Sequence, residues 1–458
     1  MIYNMLVALG VEKMKKLKLF NLAWPIFIET ALFMLLGFVD VFVLSKYDDL
    51  ASSAVNVANQ CVSIVTVVFT VISGASAVLI SQNLGAGDKT SSSRIGALSI
   101  TFNLLFGIII SVALLLFNRE FLMFIGAKGD VLEFACEYLS IVGGFIFFQA
   151  VLNAMAVIIR NHGITQISMY VTVGMNIINT VLDIVFVLGL FGLPKMGVIG
   201  VAVATTFSRI VGTVILAVVL FKRIEKLSIF KLLKPFPVND VKKIIKIGVP
   251  SALESFLYNL SQLVVTSIVL NCLAESALVA KNYVQNISMF FYIFAVSIGQ
   301  ASQILTGHLV GANKLEEAYK QGFRSYKTAL AITMGMSVIG IIFRTQLMGI
   351  FTADTTVIAM GANIIILNII LEFGRTTNLV VIASLRGAGD VYFPTICAIF
   401  SMWIISALGS YIFAVVFNMG IYGLWIAFAA DECFRGIMMI WRWKSGKWKG
   451  KSLATAKA

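Results

Sequence analysis

The sequence predicts an all-α membrane protein of twelve transmembrane helices, arranged as two pseudo-symmetric six-helix lobes. Three observations carry that expectation. Of the 458 residues, 59% are hydrophobic and only 12% are charged, against about 25% charged in an average soluble domain. Apolar stretches of about 20 residues, enough to cross a bilayer, recur from one end of the chain to the other. The second half also repeats landmarks of the first at an offset of 223 to 226 residues, as a duplicated helical unit would.

Apolar runs punctuated by Gly, Pro and charge place spans at 19–45, 53–84, 95–117, 131–159, 165–191 and 197–221. A second set falls at 246–271, 280–310, 325–350, 355–384, 390–418 and 420–441. Several exceed the minimum length, so tilted or bent helices are expected. The chain then divides into an amino-terminal segment (1–18), a first lobe (19–221), a basic linker (222–245), a second lobe (246–441) and a basic tail (442–458).

Lysine and arginine placement orients the bundle. With the amino terminus inside, the outer loops hold Lys46, Arg119, Lys128, Lys195, Lys281 and Arg344, and Arg209 and Arg375 fall within spans. The other 27 of the 35 basic residues lie on the inner side. The positive-inside rule therefore puts both termini and the linker in the cytoplasm, in a multi-pass protein of the plasma (inner) membrane.

The formal net charge of +13 sits in segments between apolar spans, so membrane lipid headgroups are the expected neighbours and nucleic acid is not. Cys61, Cys136, Cys272, Cys397 and Cys433 stand apart as small packing residues, and His162 and His308 form no metal-ligand cluster. With no nucleotide motif and no nucleophile–base pair, neither enzyme chemistry nor a cofactor is expected. The first apolar segment is a full span without a small-residue cleavage site, so no cleavable signal is expected.

The repeat is specific. Trp24-Pro25 with Glu29 recurs as Val249-Pro250 with Glu254. Leu84-Gly85-Ala86-Gly87-Asp88-Lys89 is echoed by Val310-Gly311-Ala312-Asn313-Lys314, Arg160-Asn161-His162-Gly163 by Arg386-Gly387-Ala388-Gly389, and Gly197-Val198-Ile199-Gly200 by Gly420-Ile421-Tyr422-Gly423. Six spans per lobe is an even number, so the lobes share an orientation and are related by an axis along the membrane normal. A rocking carrier with a central cavity follows, and no continuous polar pore suggests a channel.

Intramembrane polar residues are functional candidates, because hydrocarbon penalises them. Asp40, Asp183 and Thr205 are expected at one depth in three spans, and Asn179 shares a helix face with Asp183 four residues on. Two carboxyls, an amide and a hydroxyl make an oxygen-rich site for sodium or a proton. The repeat mates are Val265, Ile405, Gly409 and Phe428, so the acidic site exists in one lobe only. The alternative is that these side chains merely bridge helices.

Other charges carry weaker expectations. Glu29 and Glu254 are mates on the cytoplasmic half, facing the lobe interface, either to draw in a cationic substrate or as hydrated carboxylates near the headgroups. Glu372 and Arg375, three apart, are expected to form an internal ion pair, with a substrate role as the alternative. Asp431, Glu432 and Arg435 form a similar set. Arg209 occupies the repeat position of Glu432 and has no assigned role.

Several of these residues together resemble a known family. They are the run Pro25 to Asp40, the Gly-Ala-Gly-Asp loop, Asn179 with Asp183, and Gly-Val-Ala-Val-Ala-Thr ending at Thr205. To them is added the run Glu372 to Pro394 with Leu385-Arg386-Gly387-Ala388-Gly389-Asp390. The pattern, from about residue 19 to 443, resembles the multidrug and toxic compound extrusion (MATE) family, particularly its DinF-like branch. That resemblance implies alternating access and export of small-molecule organic cations or amphipathic drugs in exchange for protons or sodium, by a monomer. It implies coupling-ion binding at Asp40, Asn179, Asp183 and Thr205, and a first helix that bends at Pro25. Glu254 is similar to the acidic seventh-span residue that the NorM-like branch uses for coupling, so both lobes carry a candidate. A flippase for lipid-linked or amphipathic lipids is the alternative function.

Overall fold

The protein was analysed as a computed structural model that describes residues 17–45 and 48–454. The first lobe comprises α1 (Leu19–Ser45), α2 (Asp49–Gly85), α3 (Lys89–Ile125), α4 (Gly129–Gly144), α5 (Ile146–Asn161), α6 (Thr165–Leu188) and α7 (Gly197–Val219). The second comprises α8 (Val238–Cys272), α9 (Glu275–Gly311), α10 (Leu315–Ile342), the short α11 (Arg344–Gly349) and α12 (Thr355–Gly387). It ends with α13 (Tyr392–Val416), which carries two π-helical turns, and α14 (Gly420–Lys444).

Among the described residues nine helices are long and apolar enough to cross a membrane, and α4 with α5, meeting at a 46° bend, makes a tenth. α14 is less apolar because Asp431, Glu432 and Arg435 lie in its middle. α1 has 27 residues, about 40 Å at 1.5 Å per residue and enough to span. The expected count of twelve is reached with these two.

Local chemistry sets the ends. Asp48 and Asp88 accept hydrogen bonds from the amides of Ala51 and Ser91, both at 3.0 Å, capping α2 and α3. The Gly-Ala-Gly-Asp loop is the expected tight turn: Gly87 and its mate Asn313 both hold positive φ, 74° and 58°.

Some expectations need correction. Residues 238–245, assigned to the linker, already belong to α8. The span 325–350 divides into α10 and α11 at Phe343. Lys281, expected in an outer loop, is buried within α9, and Arg119 is helical and pairs with Glu133 of α4 at 2.6 Å. Hydropathy marks where apolar character fades and not where a helix ends, so the helices run past the apolar windows at residues 238–245 and at Arg119. Lys46, residues 1–16 of the amino-terminal segment and residues 455–458 of the tail lie outside the described residues.

Within the first lobe α1 packs on α6, α6 on α7, and α3 on α2 and α5; within the second, α12 packs on α9, α10 and α14. Between lobes, α9 lies against α1 and α2, and α8 against α2. These contacts are uneven in depth. On the half nearer the chain ends, buried clusters mix the lobes: Leu22 and Ile26 with Ile298 and Leu305, and Leu79 and Ile158 with Ile244 and Val391. On the far half the clusters stay within one lobe, one around Phe69, Tyr138 and Val201, the other around Val265, Trp425 and Phe428.

The face carrying the chain ends, called here the terminal face, is sealed where α2 crosses α9. A Cβ on Gly85 would strike the His308 carbonyl, and one on Gly311 the Gln82 carbonyl. Glycine at both places lets the backbones touch. Gln82 Nε2 donates to Gly387 O, and its Oε1 accepts from the amide of Leu453 in the tail, both at 2.8 Å. The tail is held by Trp448, stacked on Trp443 with ring centroids 4.3 Å apart.

Candidate functional site

Above this seal lies a cavity of about 610 Å³ between the lobes, within the range of drug-sized ligand pockets. Val78 and Gln303, about one turn above Gln82 and His308, and Arg386, next to Gly387, line it, so the seal is its floor. Its wall continues along α2 past Thr70, Thr66 and Ser63 to Asn59. Apolar lining comes from Phe33, Met34, Val62, Val67 and Val71.

Asp40 lines this cavity, and the three residues expected beside it stand directly behind. Asn179 and Asp183 are one turn apart on α6, and both are fully buried. With its amide turned to satisfy every neighbour, Asn179 Nδ2 donates to Asp40 Oδ1 at 3.0 Å and to Asp183 Oδ2 at 3.2 Å. Its Oδ1 then accepts from Thr205 Oγ1 and from the Thr205 amide, each at 3.3 Å. The Asp40 and Asp183 carboxyls are also in hydrogen-bonding contact. Helices α1, α6 and α7 thus bring all four expected residues into one site, and only Asp40 reaches the cavity.

Two neighbours were not assigned from sequence. Tyr138 of α4, buried beside Thr205, donates from its hydroxyl to Asn59 Oδ1 at 3.2 Å. Arg209 of α7 lines the cavity within electrostatic reach of Asp40 and Tyr138. A tyrosine on a helix with an apolar face gives no sequence signal of such a role. Arg209 did, as an arginine inside a span.

Comparison with known proteins addresses the same two halves that the repeat defines. The MatE family model matches residues 25–185 and again 250–412. This chain belongs to the MATE family of transporters. An "Uncharacterized transporter YisQ" of Bacillus subtilis is 38% identical over 441 residues, covering 96% of each chain. A "Probable multidrug resistance protein NorM" of Thermotoga maritima is 28% identical over 96% of this chain and 94% of its own. The fold matches the outward-facing conformation of a multidrug resistance MATE family transporter with a TM-score of 0.87, at 21% identity over 96% of this chain and all of that one. The protein is therefore a multi-pass membrane transporter of a multidrug efflux family, and not an enzyme.

The remaining charges of this MATE protein fall into two groups. Glu29 Oε1 accepts from Arg160 Nη1 and Ser168 Oγ, both at 2.9 Å. Its mate Glu254 accepts through Oε2 from Arg386 Nη2 at 2.7 Å and Thr395 Oγ1 at 2.9 Å. The glutamates and their arginine donors are related by the same repeat, and a hydroxyl completes each bracket, so it is built into both lobes. It differs in placement: Glu254 and Arg386 line the cavity, whereas Glu29 and Arg160 do not. Of the two glutamates, Glu254 alone lines the cavity between the lobes.

In the second lobe of the MATE fold, Glu372 pairs with Arg375 at 2.7 Å, as expected of an internal ion pair. Arg375 also reaches Glu432 at 3.7 Å and lies 4.9 Å from the Tyr292 ring centre, while Arg435 holds Asp431 at 2.6 Å and Glu432 at 3.0 Å. The two sets expected separately thus form one network. Val265 and Phe428, mates of Asp40 and Thr205, are packed in an apolar core. Pro25 lies in the second turn of α1, which runs through it as one helix.

Proposed function

We propose that this MATE protein is a secondary active antiporter of the plasma membrane. It exports organic cations and amphipathic drugs in exchange for protons or sodium, with both termini and the linker in the cytoplasm. The observation that carries this reading is the Asp40–Asp183 pair bridged by Asn179, from which only Asp40 faces the cavity. Two carboxyls in hydrogen-bonding contact hold one proton between them, since two bare carboxylates so close repel. The same oxygens, with those of Asn179 and Thr205, suit sodium.

Asp40 is the cavity acid that no arginine pairs within 4.0 Å, since Glu254 is held by Arg386, and this lets ion and drug compete there. With the ion absent, Asp40 presents negative charge to a cationic drug. With the ion bound, that charge is neutralised and the drug leaves through the far side. The lobes then rock, the seal at Gln82 and His308 parts, and the ion leaves toward the cytoplasm. An ion shifts this equilibrium only through its different affinity for the two states, and differing hydration of Asp40 in each state supplies that difference.

Pro25 fits as the hinge. Its ring removes one backbone hydrogen bond, so a bend there breaks less than elsewhere in α1, and Asp40 rides on the same helix. Assignment to the DinF-like branch rests on the same residues. Purified protein in liposomes tests the proposal: ethidium accumulating against its gradient under an imposed proton or sodium gradient supports it. Lipid scrambling without drug movement, or a gradient-independent ion current, contradicts it.

A further inference from the structure

Arg209 sits in the middle of α7, is 9% exposed, and lines the cavity. Its Nη1 is fully buried and has no hydrogen-bond partner. Among the described residues Arg375 and Arg435, which also lie within helices of the bundle, both form ion pairs. Arg209 forms none within 4.0 Å, although Asp40 and Tyr138 are near enough to feel its charge. An unpaired cation at membrane depth is costly to keep, and such residues mark ligand paths.

We infer that Arg209 is a substrate anchor: its guanidinium receives a carboxylate, so that the cavity takes amphipathic compounds bearing a carboxylate beside an apolar body. This rests on the reading of the cavity as the export path and adds a ligand class to it. The charge inventory leads there. Four charged side chains line the cavity, and Glu254 and Arg386 neutralise each other. That leaves Asp40 and Arg209 as the two charges open to a ligand. Opposite charges lining one cavity complement a zwitterion, whose cationic group faces Asp40 and whose carboxylate faces Arg209.

The guanidinium suits this task, because its planar fork meets both oxygens of a carboxylate. A carboxylate there forms a charge-assisted bond. The apolar body has Phe33, Met34, Val62, Val67 and Val71 to lie against. The anchor exists once, since the mate of Arg209 is Glu432, which is engaged in the second-lobe network.

A matched dye pair tests the inference. Rhodamine 110 carries a free carboxylate, and rhodamine 123 is its methyl ester with the same ring system. Fluorescence anisotropy with purified protein should show that Arg209→Gln weakens rhodamine 110 binding by about tenfold or more, the size expected for a lost charge-assisted bond. Rhodamine 123 binding should change less than about twofold, and Arg209→Lys should recover part of the rhodamine 110 affinity, since a lysine keeps the charge and loses the fork. Should Arg209→Gln fail to fold, the lysine variant alone decides, by weakening the acid more than the ester. Equal loss for both dyes, or none for the acid, overturns the anchor. In that case, ion-driven movement of rhodamine 123 in liposomes leaves the export reading standing, whereas absence of driven movement of either dye counts against export itself.

Discussion

Gln82 and His308, 226 residues apart, each cross the seam to a backbone carbonyl of the opposite lobe: Gln82 Nε2 to Gly387 O and His308 Nε2 to Asn161 O, both at 2.8 Å. The two carbonyl residues, Asn161 and Gly387, are mates at the same offset. The seal therefore has the pseudo-twofold symmetry of the chain, and because a carbonyl only accepts, His308 carries its proton on Nε2.

Breaking one arm of this seal should populate the state opened on the terminal face. A lost hydrogen bond costs about 1 kcal/mol net, roughly a fivefold shift between the two states. Spin labels at Lys89 and Lys314 in the Gln82→Ala variant should report a longer-distance population larger by that factor. A distance distribution unchanged from wild type would show that the bond does not hold the seam.

Adding volume at the crossing should act more strongly than removing a bond. Alanine at Gly85 or Gly311 puts a Cβ against the opposing backbone carbonyl, and overpacking of this kind costs about 1–3 kcal/mol. Drug turnover should fall by about tenfold, with normal insertion into the membrane. Normal turnover in both variants would mean that the lobes need not approach this closely.

The second-lobe network should matter to stability. Arg435 is 8% exposed and holds both Asp431 and Glu432, so Arg435→Met leaves the buried Asp431 and the partly buried Glu432 without it, a loss of about 3–5 kcal/mol. The unfolding temperature in detergent should drop clearly, and adding Asp431→Asn with Glu432→Gln should restore much of it. A drop that the added changes leave untouched would point to packing instead of charge.

His162, just past the end of α5, gives a pH dependence. Burial holds its imidazole below the ordinary 6.5, and nearby Lys89 adds to the effect. The unfolded chain then binds the proton more readily, so the contribution of His162 is present above pH 6.5 and is lost as pH falls below that value. Glu225, 3.9 Å away, is shifted upward by its own burial, so its charged form costs more as pH rises above the usual glutamate range. His162→Gln should flatten the fall in unfolding temperature between pH 7 and about 5.5, below the unfolded His pKa. An unaltered profile would show that the acid sensitivity lies elsewhere.

Much of the fold was legible because a membrane span and a tandem repeat leave long signals. Asp40, Asn179, Asp183 and Thr205 were legible for a related reason: polar side chains at one membrane depth stand out, and their apolar mates Val265, Ile405, Gly409 and Phe428 stress the difference. The seal was not legible. Gln82 and His308 differ in type and bond to backbone carbonyls, which have no sequence signature. The 46° bend at Phe145 breaks a run that is apolar throughout. Arg209 drew attention as a charge within a span, but its meaning depended on what it faces, which only packing decides. For the same reason Glu29 and Glu254 looked equivalent until the cavity placed one of them on its wall.

The most direct test of the account compares Asp40→Asn with Glu254→Gln in one vesicle assay of drug uptake driven by a proton or sodium gradient. Asparagine keeps the shape of a protonated Asp40 and cannot release a proton. The account predicts that Asp40→Asn still binds drug while losing gradient-driven accumulation, and that Glu254→Gln, which only loosens the bracket with Arg386, retains it in large part. Normal driven uptake in Asp40→Asn together with its abolition in Glu254→Gln would contradict the account and move coupling to the second lobe.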